Sequence, residues 1–331
     1  VDVAAAAGVS AMTVSRVING QPGVGADTRA TVREAIRRLD YRPNQTARNL
    51  VTSTELRIGV VYSNPSAAFM SDFLTGVFEE ASERGARLII VKGEGGRLPP
   101  LAAIETLGAS GVSGVILTPP LGESPAVLRV LRDAGIPFAC VGAHRVPGAI
   151  CVRIDDRQAA YEMTRDLIAL GHRNLGFVVG NPDQAASAER LAGFHAAVRE
   201  SEGVQTTVAQ GDFSYASGLV AGEQLLDSAQ PPTAIFASND DMAAAIVSVA
   251  HRRQLDVPGE LTVVGFDDTT AAVTLWPPLT TVHQPVRQLA AEALGLLVTE
   301  IAAPKHTTDH AERVLPHSII RRQSTAPPRS Q

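Results

Sequence analysis

From residue 57 onward, short apolar runs alternate with longer amphipathic stretches, and this series runs through twice. In the first pass, apolar runs at 57–61, 87–91, 114–118 and 138–141 are separated by helical patterns at 69–84, 100–109 and 125–134. In the second, helical patterns at 157–170, 187–201, 215–227 and 241–252 lead to apolar runs at 175–179, 205–209, 234–237 and 262–266. Strand and helix in strict alternation predict parallel sheets with crossover helices. Two such series predict two similar lobes, with a ligand site in the crevice outside the strand carboxyl ends. One more helix is predicted at 285–301 and extended chain at 313–321, while the polar, proline-bearing end at 324–331 reads as a disordered tail.

The fifty residues before this series are of a different kind. Asp2 to Ala7 read as a short helix, Gly8 as a tight turn in the left-handed conformation, and Ser10 as the cap of a second helix. On that helix Val14, Val17 and Ile18 fall at helical spacing and face inward. Ala11, Met12, Ser15, Arg16 and Asn19 point the other way, a small polar and basic face of the kind a DNA major groove accepts. A third amphipathic helix begins at Asp27-Thr28-Arg29, with Val32, Ala35, Ile36 and Leu39 on one side and Arg33, Arg37 and Arg38 on the other.

Charge divides the chain at the same place. The net charge of −5 argues against a nucleic-acid partner for the chain taken whole. Residues 1–55, however, carry +2 and the remainder −7, so only the small helical part suits phosphate contact, and a dimer is needed to double it. A mean hydropathy of +0.07 indicates a globular protein, and no apolar run approaches the roughly 20 residues of a membrane span. No signal-peptide pattern appears, and a few residues are expected to precede Val1. Cys140 and Cys151 lack metal-ligand spacing and sit in apolar stretches, which fits buried free thiols and a reducing compartment.

No catalytic set emerges. The Gly-rich strings at 93–96 and 108–114 match neither a dinucleotide fingerprint nor a nucleophile elbow, and the eight His lack metal spacing. His172, in a helix-to-strand loop, reads as structural. Neither a cofactor nor a metal is implied. Binding candidates lie instead at strand ends. Asp267 follows the run at 262–266 and faces the predicted crevice, where a carboxylate accepts from vicinal sugar hydroxyls; Asp268 is the alternative. Asn239 ends the run at 234–237, and Arg190 offers a fork of donors. Phe69, Phe213 and Trp276 can supply apolar faces for a pyranose or a purine, or can be plain core. Phe73, Val77 and Ala81, at helical spacing, are the expected dimer contact.

The strings Ala7-Gly8-Val9-Ser10, Thr13-Val14-Ser15-Arg16-Val17 and Tyr41-Arg42-Pro43-Asn44 resemble the N-terminal region of the lactose/galactose repressor family. Ala237-Ser238-Asn239-Asp240, Val263-Val264-Gly265-Phe266-Asp267-Asp268 and the segment from Pro277 to Pro285 extend the resemblance through a two-lobed module like the periplasmic binding proteins. The resemblance implies a helix-turn-helix domain at 1–43, a hinge helix and linker at 44–56, and an effector-binding and dimerisation domain at 57–323. Within the last, lobe one is expected at 57–154 and 285–313, and lobe two at 156–282 and 314–323. It implies DNA contacts from Ser10, Ala11, Met12, Thr13, Ser15, Arg16 and Asn19. Asn44, Ala47 and Leu50 would come from a hinge helix too short to be stable alone, with Leu50 wedged into the minor groove. It puts Phe69, Arg190, Phe213, Asn239, Asp267 and Gln284 at effector-contacting positions. Gly142 departs from the family, standing where many relatives have Asp, so the effector of any one relative does not carry over.

The reading that follows is a bacterial, cytoplasmic, nucleoid-associated homodimer acting as a repressor on a pseudo-palindromic operator. Its affinity is set by a small effector, a sugar or sugar derivative, in the inter-lobe crevice; whether the effector releases or tightens binding stays open. A periplasmic solute-binding protein would need a signal peptide and no helical N-terminal domain. A sugar-modifying enzyme would need a nucleophile or acid–base set in the crevice.

Overall fold

The computed structural model describes residues 6–10, 13, 14, 17, 25–38, 55–93, 97–302 and 312–329, and divides into a small unit at 1–55 and a large one at 56–331. In the small unit the chain turns at Gly8 with φ +62°. Ser10 then opens the next helical stretch: its Oγ accepts the Thr13 amide at 3.1 Å, and its carbonyl accepts the Val14 amide at 3.1 Å. Helix α1 (Ala26–Arg38) follows, with Asp27 in its first turn, where the helix dipole favours an acid. Val14, Val17, Val32 and Ala35 form the core of this unit, with Ala7 and Val9 against it. Ile18 lies outside the described residues.

The large unit holds two six-stranded sheets. The first contains β1 (Arg57–Tyr62), β2 (Arg87–Lys92), β3 (Gly114–Leu117), β4 (Phe138–Val141), β5 (Ile150–Ile154) and β11 (Glu312–Leu315), in the order β11-β5-β4-β3-β1-β2, all parallel. The second contains β6 (Asn174–Val179), β7 (Gln205–Gln210), β8 (Ala234–Ala237), β9 (Thr262–Asp267), β10 (Thr280–His283) and β12 (Ser318–Ile320), in the order β12-β10-β9-β8-β6-β7. Only β12 runs antiparallel to its neighbour.

Helices α2 (Ala67–Arg84), α3 (Leu101–Ala109), α4 (Pro125–Asp133) and α10 (Val286–Ala302) belong to the first sheet's lobe. Helices α5 (Asp156–Ala169), α6 (Ala185–Arg199), α7 (Tyr215–Leu226), α8 (Asp240–Arg252) and the short α9 (Thr270–Thr274) belong to the second. Central strands such as β3, β4 and β8 are buried along their whole length, which is why they read as unbroken apolar runs. Edge strands β2 and β7 are half-exposed and mixed in character.

Among the described residues the chain crosses between lobes three times, at Asp155, at Gln284-Pro285 and at Pro316-His317. The last crossing corrects the expected boundary at 313/314, which falls inside β11. Arg313 and Val314 pair with Val152 and Arg153 of β5, so the strand belongs wholly to the first lobe.

The expected tail at 324–331 is also corrected for its described part. Ser324 is fully buried; its Oγ donates to the Val263 carbonyl at 2.6 Å and accepts the Thr280 amide at 2.8 Å. The Ala326 carbonyl accepts from Thr262 Oγ1 at 3.1 Å and from His172 Nε2 at 2.9 Å, and Arg329 pairs with Glu260 at 3.0 Å. Polar composition misleads here because hydrogen bonds, not apolar area, fasten the segment. His172 is the structural residue expected, buried and held below the usual histidine range by desolvation. Ser324→Ala strands a buried amide and a buried carbonyl, so it should lower unfolding stability by about 1–3 kcal/mol. An unchanged denaturation midpoint would mean that the segment is only loosely attached.

Candidate functional site

The strand carboxyl ends of both sheets converge on one cleft. From the first lobe come Asn64 after β1, Pro119 after β3, Gly142 after β4 and Arg153 and Ile154 from β5. From the second come Gln184 before α6, Phe213 after β7, Asn239 after β8 and Asp267 at the end of β9. Phe69 in the first turn of α2, Asp156 opening α5, Arg190 on α6, Gln284 at a crossing and Leu289 on α10 also line it. All six residues singled out as effector contacts, Phe69, Arg190, Phe213, Asn239, Asp267 and Gln284, are brought together here. Trp276 is not: it is 73% exposed, between α9 and β10.

Arg190 organises the polar half of the cleft. Its Nε and Nη2 both reach Asp156 Oδ1 at 2.8 Å, Nη1 donates to the Ser238 carbonyl, and Nη1 lies 3.8 Å from Asp267 Oδ1. The guanidinium stacks 3.5 Å from the Phe266 ring centroid and 5.8 Å from that of Phe213. Arg190 and Asp156 are both buried, so each charge is stable only because the other is present.

Asp267 also accepts from Gln284 Nε2 at 2.6 Å. Burial pushes its carboxyl above the usual range, Arg190 pulls it back, and Asp240 pushes it up again. Asp240 is completely buried beneath the site and takes bonds from Thr281 Oγ1 at 2.6 Å and the Thr269 amide at 2.7 Å.

Asp267 and Asp268 hold consecutive positive φ angles of 110° and 61°. Such conformations cost about 1–3 kcal/mol each and cluster at functional sites. The strain turns the two carboxylates apart. Asp267 lines the cleft, whereas Asp268 is committed to Arg322 and to His283 Nδ1 at 3.1 Å. Asn239 is largely engaged within the protein: Oδ1 caps α8 through the Met242 amide at 3.0 Å, and Nδ2 donates to the Phe213 carbonyl at 2.8 Å. One amide hydrogen and one lone pair remain for a ligand.

Gly142 has φ +74°, and a side chain there would meet Pro119 Cγ at 2.9 Å. An Asp at this position would therefore need a shifted turn. Arg153, Asp156, Asn64 and Gln184 are lining residues that sequence reasoning missed. Each follows or ends a strand or opens a helix, the same signal that singled out Asp267 and Asn239.

In the small unit, Ser10 and Thr13 are described, and their hydroxyls lie 2.9 Å apart. Ala11, Met12, Ser15, Arg16, Asn19, Asn44, Ala47 and Leu50 lie outside the described residues. Among the described residues, no group of three or more His, Cys, Asp or Glu is arranged to hold a metal, and no helix is long and apolar enough to cross a membrane. Cys140 and Cys151 are buried free thiols.

Residues 1–44 match the family described as bacterial regulatory proteins, lacI family, and residues 164–325 match a periplasmic binding protein-like domain. The chain is 34% identical to catabolite control protein A of Priestia megaterium over 98% of both chains. It is 35% identical to the HTH-type transcriptional regulator CelR of Thermobifida fusca over 97% of this chain and 96% of the relative. Among solved structures, a CelR–cellobiose complex has 33% identity and a TM-score of 0.73, and covers 98% of both chains. A lac repressor dimer bound to operator and the anti-inducer ONPF has 29% identity and a TM-score of 0.76, also over 98% of both chains. With relatives of this identity aligned along nearly its whole length, the chain belongs to the lacI family of bacterial regulatory proteins and is a transcription regulator.

Proposed function

We propose that this chain binds a pseudo-palindromic operator as a homodimer, as a repressor in the bacterial cytoplasm. A neutral, hydroxyl-rich effector of the sugar class, seated in the cleft, changes its operator affinity. The observation that carries the effector reading is the charge balance of the cleft. Arg190 is answered by Asp156, and Arg153 by Glu312 at 2.7 Å. The two cleft arginines are thus already paired, which disfavours a phosphate or carboxylate ligand. Asp267 is left to accept from ring hydroxyls, with Phe69 and Phe213 as apolar walls. A ligand touching both lobes alters their relative position, and the hinge at 44–56 passes that change to the helical domain at 1–43. There Ser10, Ala11, Met12, Thr13, Ser15, Arg16 and Asn19 are assigned to the major groove, and Asn44, Ala47 and Leu50 to the minor groove. Titrating candidate sugars such as cellobiose and ribose into the full chain by calorimetry tests the cleft.

The dimer face differs from the one expected. Phe73, Val77 and Ala81 are buried in the lobe core, since the apolar stripe of a helix lying on a sheet faces the sheet. Phe78, at 50% exposure, stands on the outer side of α2; Ile90 on edge strand β2, with Leu98 and Leu101, adds further exposed apolar surface in the same lobe. We assign the first-lobe dimer contact to these four residues.

Arg16 is assigned to base reading, since arginine pairs bidentately with guanine, worth about 1–3 kcal/mol of discrimination. Arg16→Ala should weaken specific operator binding by that amount and leave sugar binding unchanged. Equal operator affinity of mutant and wild type would remove Arg16 from this role.

A further inference from the structure

Helix α6 is 15 residues long, and its own N-cap residue, Gln184, makes no capping bond with its side chain. The cap comes from the other lobe. Glu123, in the short 3₁₀ turn Leu121–Glu123 after β3, reaches over, and its Oε2 accepts the Ala185 amide at 2.8 Å. The nearby backbone of His144, in the first lobe, favours the charged form of the same carboxylate.

We propose that Glu123 is a latch between the lobes, a positioning residue whose carboxyl caps α6 only when the cleft is closed and so stabilises the closed form. The inference rests on the proposed function above, in which a ligand touching both lobes alters their relative position.

A second, independent feature marks this corner as costly to close. Glu123 Oε1, Gln184 Nε2, His144 Nε2 and Thr118 Oγ1 are all buried without a partner. An unmatched buried polar atom is unfavourable, so this corner sets one strong cap against several unmet groups.

The groups acting on Glu123 are Asp156 at the start of α5 and the backbone of Ala185 and of His144, and Glu123 in turn pushes up the buried thiols of Cys140 and Cys151. No cation is among them, although Asp156 is itself paired with Arg190. Burial, aided by Asp156, pushes the Glu123 carboxyl above its ordinary range. If opening returns it to water, the closed form takes up a proton as pH falls, so closure is favoured in acid and opposed as pH rises.

The test is amide exchange at the first turn of α6, read on the full chain without any sugar and normalised to the intrinsic rate at about pH 5.5 and about pH 8. Glu123→Ala should speed exchange at Ala185 by about tenfold, the loss of one charge-assisted bond. Glu123→Gln keeps an acceptor oxygen, so it should retain protection. Wild type should be better protected at the lower pH, and the Gln variant should be flat between the two. Unchanged protection in Glu123→Ala overturns the latch, and so does a Gln variant that keeps the wild-type pH profile. No sugar is present, so this outcome is independent of whether cellobiose, added separately, moves operator affinity; failure of that second arm counts against the effector reading alone.

Discussion

Replacing Arg190 with methionine is expected to cost about 3–5 kcal/mol of folding stability, the cost of breaking a buried ion pair from one side. Methionine is similar in length and apolar, so the loss does not come from a cavity. It comes from leaving Asp156 buried with no cation, and from removing the charge that offsets the burial of Asp267. The sign of the pH response follows. Without Arg190 the Asp267 carboxyl loses the charge that offsets its burial, so its native-state pKa rises further. A raised carboxyl stabilises the fold only at acid pH and loses that contribution as pH rises through the new value. The mutant's deficit should therefore be smaller near pH 4 than near pH 7. Urea unfolding at the two pH values checks this. A deficit that is small at both would mean that Asp156 finds another donor.

Asp267→Ala should abolish the response to effector while operator binding persists. The carboxylate is held at the cleft surface by a strained backbone and by Gln284, and its neighbour Asp268 is turned away toward Arg322. Losing a charged acceptor for a ligand hydroxyl costs about 1.5–3 kcal/mol, or roughly ten- to a hundredfold in affinity. Calorimetry with a sugar that binds the wild type reads the loss directly. Equal affinity would place the sugar elsewhere on the cleft wall.

The two-lobed fold was legible because parallel strands buried on both faces leave unbroken apolar runs, as at Gly114–Leu117 and Phe138–Val141. Strand β5 is harder to see, since Ile150–Ile154 is short and carries the charged Arg153, which the cleft uses, just before its end. Asp267 and Asn239 were legible as site residues because they end strands. Asp156 was not, since an acid opening a helix usually serves only as a local cap or dipole partner, and its ion pair with Arg190 spans 34 positions in sequence. The outward face of α2 was misjudged because Phe73, Val77 and Ala81 read equally well as core or contact, and the packing of α10 decides between them. Ser324 shows the opposite error, a polar residue taken for tail that is fully buried because hydrogen bonds, and not apolar area, hold it.

The central claim is that a sugar in the cleft changes the affinity of the helical domain for DNA. The direct measurement is fluorescence anisotropy of the full chain on the DNA flanking its own gene, with and without a sugar first identified by thermal shift. A coupling of about 1–3 kcal/mol predicts a shift in operator affinity of roughly 5–150-fold, absent in Asp267→Ala. A sugar that binds the wild type in the cleft yet leaves the operator isotherm unmoved would contradict the account.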